Sequence, residues 1–212
     1  DSRRAARTAP TGDLILLEDQ NRSLWNRDQI TEGLSLVQRA TVTGPVGSYT
    51  LQAAIAGIHA RATDSTTTDW AGIIGIYNVM MQLDPSPVIQ LNRAVAVAML
   101  DGPFAGLKLI DGILKRGDLD TYHLAHAARA DLCRRLGRTK EARTSYQRAL
   151  SLTQQEPERR FLEKQRAELT ARFLCAKHAR IKLNGRRTIC DGKLRKHLLD
   201  TILRLTHRRD SF

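Results

Sequence analysis

Cysteines are scarce in this chain, which has three in 212 residues: Cys133, Cys175 and Cys190. An odd number at irregular spacing does not form a disulfide framework, and a chain of this length can bury a core without cross-links. Long apolar runs are also missing, since no stretch approaches the ~18 residues needed to cross a bilayer. The N-terminus DSRRAARTAP lacks the apolar core of a signal peptide. We therefore expect reduced thiols, no membrane partner and a cytoplasmic protein. The first residue is Asp rather than Met, which favours a piece of a longer protein.

Motifs for catalysis are lacking as well. No Ser-His-Asp arrangement, phosphate-binding glycine loop or H-E-x-x-H sequence is present. Glu156 and Glu158 stand at the start of a predicted helix, where acidic side chains complement the helix dipole. The sequence predicts that the protein is not an enzyme and needs no cofactor.

Two sets of residues have the chemistry of zinc ligands. His123, His126 and Cys133 supply only three donors, whereas zinc normally takes four. Cys175, His178, Cys190 and His197 supply four, but their spacing is loose. Helix packing is the preferred interpretation of the first set, and we predict no metal site.

Acidic residues are few in the C-terminal part of the chain. Net charge is +12, and residues 171–212 contain 12 of the 34 Lys and Arg residues but 3 of the 22 Asp and Glu residues. KLRKHLLDTILRLTHRR, residues 193–209, has the pattern of a basic amphipathic helix. It can cap a helical array, bind an acidic surface or be an accidental extension. Because aromatic residues for base stacking are absent between 188 and 206, direct DNA binding is disfavoured.

Helical periodicity dominates the rest of the sequence, and nothing alternates as a strand does. Apolar stripes predict eight helices joined by short turns, so that neighbours pack antiparallel. The sequence predicts an all-α protein, an antiparallel helix-hairpin array, with a linker and docking segment at 1–25, a helical domain at 26–170 and a basic tail at 171–212.

A repeat underlies these helices. Gly102 and Gly137 each precede a helix and lie 35 residues apart, and Tyr77 and Tyr146 lie about twice as far apart. A helix-turn-helix period near ~34 residues is typical of tetratricopeptide repeats, which form a right-handed superhelix. Gly137, Ala142, Tyr146 and Ala149 match that pattern, whereas the copy around Leu107 departs from it. An irregular helical bundle is the alternative.

Four longer segments carry a more specific resemblance: GDLILLEDQNRSLWNRDQITEGL, GSYTLQAAIAGIHA, DWAGIIGIYNVMMQLDPSPVIQLNRAVAVAMLDGP, and the region from YHLAHAARADL to EKQRAEL. Together they resemble the C-terminal tetratricopeptide-like extension of bacterial extracytoplasmic-function sigma factors, over residues 1–169. The resemblance implies a regulatory domain in transcription initiation, whose promoter-reading regions are absent from this chain. Its implied partners are those sigma-factor core regions, RNA polymerase, or another regulatory protein.

LLEDQNRSLW is the short motif that bears most directly on partners. The apolar run at residues 14–17, which overlaps the start of this motif, is expected to tuck under the first helices and leave polar side chains for contact. Two interpretations stay open: a docking edge toward the sigma-factor core, or a local clamp in which Trp25 packs and exposed ion pairs add only ~0.2–1 kcal/mol. The candidate partner-binding residues are Glu18, Asp19, Gln20, Arg22 and Trp25. A stand-alone tetratricopeptide adaptor, and a nucleic-acid binder acting through the tail, are the rival functions.

Overall fold

The structure is a computed structural model that describes residues 2–15, 17, 19–44, 46–64 and 66–182, with side chains described up to residue 170. These ranges contain eight α-helices: α1 (Arg27–Val42), α2 (Ser48–Arg61), α3 (Trp70–Leu83), α4 (Pro87–Leu100), α5 (Pro103–Lys115), α6 (His123–Arg135), α7 (Thr139–Leu152) and α8 (Glu156–Lys182). The described residues contain no strand beyond a single bridge between Thr8 and Leu14. The all-α prediction is confirmed.

The helices begin where local chemistry favours a start. The side chain of Asn26 accepts a hydrogen bond from the backbone of Gln29 at the start of α1, and Asp69 does the same for Gly72 in α3. Such caps satisfy backbone N–H groups that have no partner within the helix. Pro87 and Pro103 open α4 and α5, where a missing N–H costs nothing.

Each helix packs against the next along the chain, so the array is built of consecutive hairpins. Helices α4 and α6 also contact each other directly and carry the most buried residues. The main core lies around these two helices and includes fully buried Leu91, Leu107, Ile110, Leu124 and Tyr146. Because α4 and α6 are covered on several sides, they form an inner layer between α3, α5 and α7.

Helices α4 to α7 begin at a regular spacing, close to the spacing of Gly102 and Gly137. Helices α4 and α6 start 36 residues apart, at 87 and 123, and α5 and α7 start 36 residues apart, at 103 and 139. Gly102 and Gly137 lie in the two equivalent turns with φ of 94° and 74°. Non-glycine residues rarely adopt that conformation, which explains why glycine recurs there. The hairpins α4–α5 and α6–α7 therefore follow each other at a step of 36 residues.

Helix α8 is the longest, and it continues through residue 171, where the predicted basic tail begins. Leu162 and Leu169 of this helix are buried in the main core. The predicted amphipathic helix at 193–209 lies outside the described residues, as do Cys190 and His197. Within the described ranges no helix has both the length and the apolar character needed to span a bilayer.

Candidate interaction site at the N-terminal segment

Residues 2–25, here called the N-terminal segment, fold into a small unit of their own. Ala6, Leu17 and Trp25 are buried together in a cluster separate from the main core, and Ile30 of α1 packs against them. The guanidinium of Arg22 lies 4.4 Å from the centre of the Trp25 ring and that of Arg3 lies 5.6 Å away. Cation–π contacts of this kind contribute ~0.5–1 kcal/mol at exposed sites. Trp25 is therefore the anchor of the segment.

A short hairpin precedes this anchor. The backbone N–H of Ala9 donates to the carbonyl of Asp13 at 2.9 Å, and that of Ile15 donates to the carbonyl of Arg7 at 2.9 Å. Pro10 lies in the turn, and Gly12 has a φ of 80°. A proline followed two residues later by a left-handed glycine is a common hairpin turn. This hairpin is not among the elements that the helical periodicity predicts, although the sequence contains its Pro-Thr-Gly signal.

Arg22 joins the segment to the second helix. Its Nη1 donates to the carbonyl oxygens of Ala62 and, at 3.4 Å, His59. These carbonyls belong to the C-terminal end of α2, where backbone acceptors have no partner within the helix and a cation is favoured. Arg22 thus stabilises both the anchor and the end of α2.

The other end of the segment reaches the last described helix. Asp13 Oδ1 lies 3.5 Å from Arg160 Nη1 in the first turns of α8, and both side chains are about half exposed. Thr11 donates a 2.8 Å hydrogen bond to the same Asp13 carboxylate. The N-terminal segment therefore extends from the end of α2 to the start of α8.

A cleft of about 330 Å³ opens where the segment meets α8, and we call it the segment–α8 cleft. Its lining combines apolar surface with opposed charges. From the segment come Asp13, Leu14, Ile15 and Asp19, and from α8 come Pro157, Arg160, Phe161, Lys164, Gln165 and Glu168. Clefts of this size that join an apolar floor to a few polar groups are the usual form of a binding site.

The five predicted partner-binding residues have different environments. Glu18 lies outside the described residues. Asp19 is exposed and lines the cleft. Gln20 is buried and its Nε2 donates to the carbonyl of Ile15 at 3.1 Å. Arg22 and Trp25 belong to the anchor. Trp25 is packed as in the local clamp interpretation, Gln20 and Arg22 bond to backbone carbonyls, and Asp19 lies exposed at the cleft.

The apolar run at 14–17 divides between two surfaces. Leu17 is buried against Trp25, and Ile30 at the start of α1 packs on the same cluster, as expected for a run that tucks under the first helices. Leu14 and Ile15 line the cleft facing α8 instead. Leu16 lies outside the described residues. The residues on the α8 side, above all Gln165, carried no signal in the sequence.

Two further polar clusters lie within the array. His123 Nε2 is 3.0 Å from the buried carboxylate of Glu158, which joins the start of α6 to the start of α8. The buried Asp131 accepts a 3.0 Å hydrogen bond from Arg134 Nε. Glu158, predicted to serve the helix dipole, thus also joins two helices. Among the described residues no group of three possible metal ligands is found.

The chain is similar to a known protein family and to a bacterial protein. Residues 1–41, which comprise the N-terminal segment and nearly all of α1, match a family of unknown function, DUF6596. The chain is 42% identical over 170 residues to an uncharacterized protein, R00370, of Rhizobium meliloti strain 1021. That alignment covers 80% of this chain but 40% of the relative, so the chain spans less than half of the relative's length. No solved structure matches.

Proposed function

We propose that this chain is the regulatory C-terminal domain of an extracytoplasmic-function sigma factor and acts through protein contacts in transcription initiation. The observation that carries the proposal is the N-terminal segment. The resemblance places this segment next to the promoter-reading regions, and here it is anchored to α2 by Arg22 and to α8 by Asp13. A segment held at both points can transmit a change in the helical array to a neighbouring region.

The array itself favours binding rather than chemistry. Consecutive hairpins with a 36-residue step form an extended surface, and tetratricopeptide-like arrays use such surfaces to bind polypeptides. The R. meliloti relative extends well beyond the aligned part, which leaves room in that protein for further domains. We further propose that the chain acts in the cytoplasm and has no enzymatic activity. Its proposed partner is the sigma-factor core or RNA polymerase.

The first test is the reading frame that encodes this chain. If it also encodes polymerase-binding and promoter-reading regions upstream of Asp1, the sigma-factor proposal is supported. If a start codon immediately precedes Asp1, the proposal is wrong and the adaptor function replaces it.

The second test measures transcription from a cognate promoter with the complete protein. Arg22→Ala removes the contact with the end of α2, and we expect promoter-dependent transcript levels to change at least severalfold. Arg27→Ala is the matched control, because Arg27 is an exposed residue at the start of α1. Equal transcription by Arg22→Ala and the wild type would count against a regulatory role for the segment.

A further inference from the structure

Two ring nitrogens are buried without a hydrogen-bond partner in the region where the N-terminal segment meets α2. Trp25 Nε1 in the segment and His59 Nε2 in α2 bond to no other described residue, and both residues are more than nine-tenths buried. Arg22 lies beside both, since its guanidinium is 4.4 Å from the centre of the Trp25 ring and its Nη1 is 3.4 Å from the His59 carbonyl oxygen. Buried polar groups are nearly always hydrogen-bonded, so each nitrogen without a partner opposes the docking of the segment.

The docked arrangement gives these nitrogens no way to gain a partner. Neither has surface that a water molecule can reach, so water cannot supply the missing bonds while the segment stays in place. The indole N–H of Trp25 is a donor only, and it needs an acceptor that no neighbouring side chain provides. If the segment moves away from α2, water can reach both rings and bond to both nitrogens.

The apolar contacts that hold the segment are limited in the part of the chain that the structure describes. Its buried cluster consists of Ala6, Leu17 and Trp25, with Ile30 of α1 packed against it, and is separate from the main core. The ion pair between Asp13 and Arg160 is about half exposed, and exposed pairs of that kind stabilise little. The segment therefore has its own small core, which can open without opening the main one.

From these observations we infer that the N-terminal segment acts as a releasable strap, which leaves α2 as one unit while α2 to α7 stay folded. Parts of a protein that bury little apolar surface open at a lower free energy than the rest. Release frees the carbonyl oxygens of His59 and Ala62, to which Arg22 donates, and uncovers the C-terminal end of α2.

This inference deepens the proposed function, because it gives release of the segment as the way in which the segment regulates. It is tested without transcription, so its failure can be distinguished from failure of the sigma-factor proposal. The strap can be absent in a sigma-factor domain, and it can be present in a chain that has another function.

Native-state amide exchange of the full chain, followed by NMR, is the first test. The N–H of Asn26 donates to the Ser2 carbonyl and that of Ile15 donates to the Arg7 carbonyl, so both amides report on the folded segment. We expect both to be protected about 100-fold less than the amides of α4, and to a similar degree as each other. Protection as strong as that of α4 would overturn the inference, because the segment would then open only with the whole protein. Widely different values for the two amides would also contradict it, since the segment would then fray rather than release as a unit.

Arg22→Ala should favour release. It removes the hydrogen bonds to the end of α2 and the cation above Trp25, so the segment amides should exchange about tenfold faster while those of α4 are unchanged. Arg27→Ala is the matched control, because Arg27 is exposed at the start of α1. An equal loss of protection in α4 would show that the segment is part of the global fold, and no change in the segment would show that Arg22 does not hold it. Either result would contradict the strap.

His59→Phe should have the opposite effect. Phenylalanine keeps an aromatic ring against Trp70 and has no nitrogen that needs a partner, so at pH 7 the segment amides should exchange about tenfold more slowly. His126→Phe on α6 is the control, because His126 Nε2 already lies 2.9 Å from the Asp120 carbonyl oxygen. Unchanged or faster exchange of the segment in His59→Phe would mean that the imidazole does not oppose docking, and the inference would be wrong.

Discussion

Asp131 on α6 is buried, with 2% of its surface exposed. A buried carboxylate of this kind needs nearby polar groups to stabilise its charge. Arg134, one turn further on, donates to it from Nε at 3.0 Å. Tyr146 of α7 is fully buried, and burial, followed by the neighbouring charge of Asp131, raises the pKa of its hydroxyl. The Asp131–Arg134 pair is therefore a buried ion pair within α6.

Asp131→Ala should therefore destabilise the protein strongly. Removing one partner of a buried ion pair leaves the other charge without compensation and typically costs ~3–5 kcal/mol. The free energy of unfolding, measured by urea denaturation, should fall by about that amount. Glu163→Ala breaks the exposed pair with Arg159 on α8 and should cost less than ~1 kcal/mol. Equal effects of the two substitutions would contradict this assignment.

His59 gives the protein a specific dependence on pH. Burial, together with the charges of Arg3 and Arg22, lowers the pKa of its imidazole to about 3. The ring is packed edge-on against Trp70 with centroids 5.4 Å apart. In the unfolded chain a histidine has a pKa near ~6.5, so below that pH the unfolded state binds a proton that the folded state does not. Stability is therefore complete above pH ~6.5 and falls as the pH drops toward 3.

His59→Phe should remove this term while keeping an aromatic ring against Trp70. The wild type should lose up to ~1.4 kcal/mol of stability per pH unit below 6.5 from His59 alone. Urea denaturation at several pH values should show a shallower slope for His59→Phe than for the wild type between pH 6.5 and 4. Parallel slopes would mean that His59 titrates alike in both states.

Among the helices, α4 and α5 approach each other closely at one glycine. A Cβ placed on Gly106 of α5 would overlap that of Ala98 and lie 2.7 Å from the carbonyl oxygen of Ala94. The two helices can pack at this distance only because residue 106 has no side chain. Gly112, two turns further along α5, has no atom within 4 Å of the equivalent position.

Gly106→Ala and Gly112→Ala should consequently have opposite effects. The first forces the helices apart and should cost ~1–3 kcal/mol or more, as overpacked cores do. The second replaces glycine by a better helix former in open space and should raise stability by up to ~1 kcal/mol. Thermal unfolding followed by circular dichroism measures both. A Gly106→Ala variant as stable as the wild type would mean that α4 and α5 can move apart without a loss of stability.

Over the whole molecule, burial is distributed unevenly. Helix α1 contains no buried residue and packs along α2 and, through Ile30, on the N-terminal segment, whereas α4 and α6 are enclosed by neighbouring helices. Because local opening requires less energy where few apolar contacts are lost, amide hydrogens of α1 should exchange fastest among the helices α1–α7. Hydrogen exchange followed by mass spectrometry should find the strongest protection in α4 and α6. Equal protection of α1 and α4 would show that the array opens only as one unit.

The sequence by itself determined the eight helices, their order and most of their starting points. Those features depend on local rules, namely the period of apolar residues and the caps that Asn26 and Asp69 provide. Gly102 and Gly137 likewise mark turns before helices, because a left-handed turn is a local requirement.

Only the tertiary structure decided where the N-terminal segment lies and what faces it. Asp13 lies beside Arg160, and Leu14 lines the cleft together with residues of α8. These partners are separated by most of the length of the sequence. Gln165 has the same local sequence signals as any polar residue on a helix, and only the packing of distant parts of the chain makes it a buried residue. Contacts between distant residues depend on how the helices are arranged in space, which no short pattern along the chain encodes.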